Sequence, residues 1–255
     1  MIRGSIGNLD VAQIVLYAFL AFFVGLVFYL RREDRREGYP LEEEAAGRLK
    51  DRGFLMIPPP KTFLRSDGRQ VPAPNYRADT RSINATKTEP WPGAPLKPNG
   101  DPMLAAVGPG SYAERADETG KTYDGHDLIV PLRVATNFAV PPDSGNPIGF
   151  TVIGADRAQA GVIKDLWVDR AESVVRYYEV DTGKDGRTVL LPITFSVADF
   201  KRRCVNVSAL RSAQFLGVPL IKDADKVTLL EEDKITAYYG AGMLYATPQR
   251  TESVL

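Results

Sequence analysis

Between Val11 and Leu30 the chain reads VAQIVLYAFLAFFVGLVFYL, an apolar run broken only by Gln13. At about 1.5 Å per residue a helix of this length spans the roughly 30 Å hydrocarbon core of a bilayer with little to spare. Such a segment crosses once and only as a helix, because in lipid every backbone polar group must be satisfied within the segment. A cleavable signal peptide predicts a basic start, a shorter apolar stretch and a small-residue cleavage site. Here only Arg3 precedes the run, and Arg31, Arg32, Arg35 and Arg36 follow it with no such site between. The expectation is a retained span over 11–31. The excess of Lys and Arg lies after the helix, so residues 1–10 are expected on the far, periplasmic side and the bulk of the chain in the cytoplasm. Tyr29 is expected at the headgroup level, with Arg31, Arg32, Arg35 and Arg36 against anionic lipid headgroups. Tyr17 lies deeper, where it can pack on a neighbouring helix, and Ala21 with Gly25 forms a small-xxx-small pair.

The remainder has enough apolar residues for one sizeable core. The 32 basic and 32 acidic residues balance, which argues against nucleic acid as the principal partner. One cysteine, Cys204, and one histidine, His126, exclude a disulfide framework and a zinc site of ordinary ligand count.

Residues 51–110 hold eleven of the nineteen prolines, among them Pro58, Pro59 and Pro60. Proline lacks a donor and biases its predecessor towards extended geometry, so 32–125 is expected to run in extended pieces with short turns. A disordered linker is the alternative. The large apolar residues in it, including Phe54, Leu55, Met56, Ile57, Phe63, Tyr76 and Trp91, favour a strap that lies on its own domain or on a partner. From 126 to 248 short β-rich runs take over: 128–134, 149–153, 161–168, 174–180, 188–193 and 203–207, with Gly-Lys-Asp-Gly at 183–186 as a hairpin signal. This spacing predicts a small barrel or sandwich. Glu231–Tyr245 is expected to form a terminal helix with its acids at the favourable end, weakened by Gly240 and Gly242, before a tail over 249–255. The fold class is therefore mainly β with one N-terminal transmembrane helix, an extended proline-rich segment and a short C-terminal helix.

Several motifs carry a family likeness: Ile6-Gly7-Asn8 before the span, REGYPLE at 36–42, PKTF at 60–63, GDPM at 100–103 and GPGSYAER at 108–115. DGH at 124–126, NPIG at 146–149, LWVD at 166–169 and TLLEEDKI at 228–235 follow. In this order and spacing the chain resembles the H subunit of the photosynthetic reaction centre of purple bacteria. The resemblance implies a cytoplasmic β-barrel of the PRC type in a bacterial inner, intracytoplasmic membrane. It implies a non-enzymatic cap that binds no pigment itself and stabilises the L and M subunits. Those partners carry bacteriochlorophyll, bacteriopheophytin, quinones and a non-haem iron. A cytochrome subunit, a light-harvesting complex and membrane lipids are further candidate partners. The alternative is a membrane-tethered PRC-barrel adaptor for another protein.

Reducing a buried quinone consumes protons, and a path for them needs groups that ionise near working pH: acids that are desolvated or near other acids, and histidine. Asp124, His126 and Asp127 form one such cluster, and the resemblance places Asp124 and His126 at the proton entry. The family's best-known pattern has a second histidine shortly after the first; here Asp127 and Leu128 follow, and Asp127 is the candidate replacement. The resemblance places Asp169 and Glu172 nearer the quinone, with Arg176 tuning the field. From composition alone DGHD is a polar turn and Asp-x-x-Glu a solvated loop. The acids Glu231, Glu232 and Asp233 read first as helix N-terminal charges and second as proton buffers.

Overall fold

The computed structural model describes residues 5–6, 9–39, 41, 56–65, 68–77, 79–184 and 186–250, in two compact units, 1–78 and 79–255. Gly7, Asn8, Pro40, Glu42, Phe54, Leu55 and Asp185, which figure in the sequence reading, lie outside the described residues.

In the first unit Ser5–Ile6 (β1) pairs with Leu9–Asp10 (β2), and Asp10 caps helix α1, Val11–Glu33, by accepting from the Ala12 amide. The 23 residues of α1 measure about 35 Å. None of them is buried, so the helix presents apolar side chains all round with no protein cover. A helix of that character fits the interior of a membrane. Its one polar interruption is internally satisfied: the Gln13 amide donates to Tyr17 Oη at 3.1 Å. After a 3-10 turn, Asp34–Arg36, the hairpin Lys61–Leu64 (β3) and Gln70–Ala73 (β4) packs at the helix foot. Arg36 holds it there. Its guanidinium donates to Glu33 at 2.7 and 3.0 Å and to the carbonyls of Pro59 and Ala73 at 2.8 and 3.0 Å. Lys61 closes the arrangement, bonding Glu33 at 2.8 Å and standing 5.7 Å over the Tyr29 ring. Arg36, expected at the lipid headgroups, has its guanidinium occupied by Glu33 and the two hairpin carbonyls. Stranded carbonyls at the hairpin need a donor, and a buried guanidinium with five N–H groups supplies one.

The second unit opens with Ala85–Lys87 (β5) against Leu96–Pro98 (β6) and continues as irregular chain, the extended pieces and turns that the prolines require. A seven-stranded sheet follows: Ile129–Pro131 (β7), Thr151–Ile153 (β8), Gln159–Asp169 (β9), Val174–Asp181 (β10), Thr188–Pro192 (β11), Ser196–Asp199 (β12) and Cys204–Val207 (β13). The ladder runs β11-β10-β9-β8-β13-β12, with β7 also on β9 and the β8/β13 pair parallel. Strands β11 and β12 are the two ends of that ladder, yet a single 3-10 turn, Ile193–Phe195, joins them. Laid flat, five strand spacings of about 4.8 Å would separate them by about 24 Å. The four residue steps from Pro192 to Ser196 reach at most about 14 Å. The sheet must therefore roll up, which turns the expected strand series into a barrel-like body.

Its core collects Val152, Ile163, Leu166, Trp167, Leu191 and Val205, sealed by Ile235, Tyr239 and Ala241 from helix α2, Leu229–Tyr245. The helix starts two residues earlier than expected because Thr228 and Glu231 form a capping box: Thr228 Oγ1 accepts from the Glu231 amide at 3.2 Å and Glu231 accepts from the Thr228 amide at 2.8 Å. Nor do its glycines interrupt it. A Cβ on Gly242 would stand 2.2 Å from the Ala209 carbonyl oxygen, and one on Gly240 2.4 Å from that of Pro109. They are the close-approach points that let the helix seat. The run at 128–134 narrows to β7 because the chain turns at Pro131, whose carbonyl accepts from the amides of Val134 and Ala135. The hairpin between β10 and β11 falls where expected, with Gly183 and Gly186 at positive φ.

Thr228→Ala removes the cap hydroxyl and its bond to Asp117, and is expected to lower stability by about 1–2 kcal/mol, whereas Thr228→Ser retains it. Urea unfolding of the detergent-solubilised chain, followed by far-ultraviolet circular dichroism, measures the difference.

Candidate functional site

Two of the sequence-predicted clusters lie on adjoining pieces of chain at one end of the sheet. The first is a tight hairpin. Lys121 and Asp127 form its base, the Thr122 amide donates to the His126 carbonyl at 2.9 Å and the Gly125 amide to the Thr122 carbonyl at 3.0 Å. Gly125 takes φ +83°, a conformation that glycine adopts without penalty. Asp124 and His126 flank it, both exposed, beside a fully exposed Tyr123. Asp127 behaves differently. Its carboxylate accepts from Thr119 Oγ1 and Lys121 Nζ, each at 2.5 Å. Burial works to raise its pKa, but the bonds from Lys121 and Thr119 outweigh that and hold it below the usual carboxylate range. Asp127 is a fixed negative charge at neutral pH.

The second cluster sits where β9 ends and β10 begins. Asp169 is 2 % exposed. One of its oxygens accepts from the amides of Ala171 and Glu172 at 3.0 and 3.1 Å, a side-chain-made turn that reverses the chain. The other accepts from Arg176 Nε and Nη2 at 3.3 and 3.2 Å, while Arg176 Nη2 also reaches Glu172 at 2.9 Å. Glu172 is largely exposed. One guanidinium therefore joins an interior carboxyl to a surface one. The Asp-x-x-Glu stretch reads as a solvated loop from composition, but burial of Asp169 in the sheet end makes it a built structure.

The ladder brings the two clusters together: Ile129 on β7 stands opposite Asp169 on β9, and the Arg170 amide donates to the Leu128 carbonyl at 3.0 Å. The hairpin carrying His126 thus feeds directly into the strand that faces Asp169. Arg31 lies 3.8 Å from Asp34 and the Arg35 guanidinium stands 5.2 Å over Tyr39, at the foot of α1 in the other unit.

Sequence reasoning named Glu232 only as one of three acids at the start of a helix, and it overlooked two groups, Tyr177 and the cluster around Arg133. Tyr177, next to Arg176 on β10, donates its hydroxyl to Glu232 at 2.9 Å. Burial pushes the pKa of Glu232 up, against the opposing influence of Tyr177, Arg115 and Arg176. Arg133 gathers Asp165 at 2.9 Å, Glu179 at 2.6 Å and Asp225 at 3.1 Å, and Glu179 also accepts from Trp167 Nε1 at 3.0 Å. Burial would raise Glu179, but these bonds hold it below the ordinary range. A readable signal did exist for this last group: two adjacent charged residues set among large apolar ones inside a strand, Ile163-Lys164-Asp165-Leu166-Trp167, must be paired where buried.

Comparison with known families matches two models to the chain. One, the photosynthetic reaction centre H-chain N-terminal region, covers residues 4–134, more than half of the sequence. The other, the PRC-barrel domain, covers 144–213, from the approach to β8 to the turn after β13. The apolar α1, the irregular proline-rich chain and the rolled sheet follow one another in the order those two regions require, and the chain belongs to the photosynthetic reaction centre H-chain family, as an H subunit with a PRC-barrel domain.

Proposed function

We propose that this H subunit caps the cytoplasmic face of the L and M subunits and conducts protons from the cytoplasm towards the secondary quinone. Family membership supports its association with a reaction-centre core. The observation that carries the proton role is the Asp169–Arg176–Glu172 link: an interior carboxyl held 3.2 Å from a guanidinium that also holds a surface carboxyl. Burying a carboxylate is costly without such compensation, so a buried acid beside an exposed one marks a place where charge can be carried inward.

In this reading the N-terminus is periplasmic, α1 crosses the membrane once over 11–31, and the barrel meets the core. Asp124 and His126, exposed at the hairpin tip, collect protons from solvent. Asp127, held below the ordinary carboxylate range by Lys121 and Thr119, contributes a standing negative charge that draws cations to the entrance. Protons then reach the Asp169 cluster, where Arg176 balances the charge left when Asp169 or Glu172 gives one up. Bacteriochlorophyll, bacteriopheophytin, the quinones and the iron belong to the partners.

Asp169→Asn keeps the turn geometry while removing the ionisable group. In reaction centres carrying it, or Glu172→Gln, the proton-coupled second electron transfer is expected to slow by about tenfold or more, a barrier increase of about 1.4 kcal/mol, with the first transfer unchanged. Flash-induced absorbance kinetics read both steps. Unchanged second-transfer rates in the single and double variants remove the conduction role.

Asp127 gives a stability signature. Its folded pKa is depressed, so the stability it contributes is complete above the unfolded value, near 3.8, and disappears as pH falls through the lower folded value. Asp127→Asn is therefore expected to be less stable than the parent at pH 7, with the two converging in strong acid. Urea midpoints across pH measure this.

A further inference from the structure

Arg176, which holds Asp169 and Glu172, lies on β10. Tyr177 follows it on β10, 5 % exposed, and its hydroxyl meets Glu232 on the first turn of α2. The three adjacent acids there, Glu231, Glu232 and Asp233, have separate partners. Glu231 caps the helix and accepts from the Lys222 amide at 2.8 Å, and Asp233 pairs with Arg115 at 3.4 Å. Glu232 has no ion pair among the described residues; its recorded bond is to a neutral phenol. It also faces a cavity of about 400 Å³, open to solvent and lined by Tyr112, Arg115, Tyr177, Asp233 and Thr236. At roughly 30 Å³ each, several waters fit, and the polar lining can hold them.

We propose that Glu232 is a proton-storing carboxyl, filled and emptied through the water of this cavity and coupled through Arg176 to Asp169 and Glu172. The proposal rests on the conduction reading for its purpose but on its own geometry for its existence. A proton arriving on cavity water forms the acid's O–H bond and leaves by the same water, so no other reactant is needed. Burial favours the neutral form. The charges around Glu232 set how strongly. Asp233 on its own helix favours the proton, whereas Arg115 from the preceding chain and Arg176 from β10 oppose it, as does the Tyr177 hydroxyl. Lys234 stands 5.7 Å over the Tyr112 ring, on the rim of the cavity. Arg176 pairs with Asp169 and Glu172 and acts on Glu232 through its charge alone, so negative charge left on Asp169 or Glu172 offsets that effect and strengthens proton binding at Glu232. By reciprocity, a proton on Glu232 eases loss of one from the cluster.

Infrared difference spectroscopy on the full-length chain in detergent, in the dark and without quinone, tests this. A carboxylic-acid carbonyl band, sensitive to deuterium exchange, should titrate with a midpoint above the ordinary glutamate value of 4.5. Glu232→Gln, which preserves an acceptor for Tyr177, should abolish the band, and Glu172→Gln should leave it. Arg176→Gln should move the midpoint to higher pH, read as its difference from Arg176→Gln/Glu232→Gln. Glu232→Asp keeps a carboxyl and should shift the band, a check that does not depend on Glu232→Gln folding. Persistence of the band in Glu232→Gln, or a midpoint indifferent to Arg176, overturns the proposal. Neither result bears on second-electron kinetics, so the store and the conduit fail independently.

Discussion

The pairing of β9 is the constraint on which the rest of the second unit depends. Over its eleven residues this strand pairs with β10 along one edge, while the other edge is shared by β8 near its start and β7 near its end. The final stretch, Asp165 to Asp169, is buried throughout. That breaks the alternation of a half-buried strand, and the reason is that both faces are covered: Leu166 and Trp167 belong to the main core, and Val168 joins a small second cluster with Val130 and Ala135. Two acids at the ends of such a stretch must be compensated in place. Asp165 is answered by Arg133 and Asp169 by Arg176, and each cation reaches outward to a further carboxylate. Both pairs are made within this one chain.

Energetically these two centres are alike, yet chemically they differ. Around Arg133 the acids are locked by several strong donors, and Glu179 is held firmly ionised by Arg133, Trp167 and Lys164. That network ties β9, β10 and the 224–225 loop together and has little freedom to exchange protons. Around Arg176 one cation is divided between an interior and a surface carboxyl, and the next residue along connects to a third acid through a phenol. In the proposed reading a proton moves there without dismantling the sheet. The same residue types thus give a structural staple in one place and a candidate relay in the other, according to how many donors each carboxyl receives.

Much of the fold was legible because its signals are local. The span, the hairpin at 183–186 and six of the seven strands of the main sheet are visible as apolar runs and turn residues. Strand β12 was not: Ser-Val-Ala-Asp is short, and its Val197 is 70 % exposed, so nothing marks a buried face. The start of α2 was readable in principle, since Thr228 and Glu231 have capping-box spacing. At the site, residue types were legible but their partners were not. The burial of Asp169 arises from β7 and β10 meeting at its strand end, a long-range event. Arg36 looks like its neighbours Arg31, Arg32 and Arg35, and only the carbonyls of Pro59 and Ala73, more than twenty residues away, distinguish it. The role of Asp127 depends on Lys121 across a hairpin that composition alone leaves undefined.

Successive helix positions explain why three adjacent acids at the start of α2 have different fates. About 100° of rotation separates neighbours, so Glu231, Glu232 and Asp233 cannot share one environment. Glu231 turns back to its own cap, Asp233 towards Arg115, and Glu232 is left facing β10. Through the bond from Tyr177 to Glu232 and the adjacent Arg176, the helix that seals the core is tied to the strand end where Asp169 lies. Farther along, Gly240 and Gly242 seat the helix against the carbonyl oxygens of Pro109 and Ala209. The glycines that weaken the helix as an isolated segment are where it comes closest to the chain at Pro109 and Ala209.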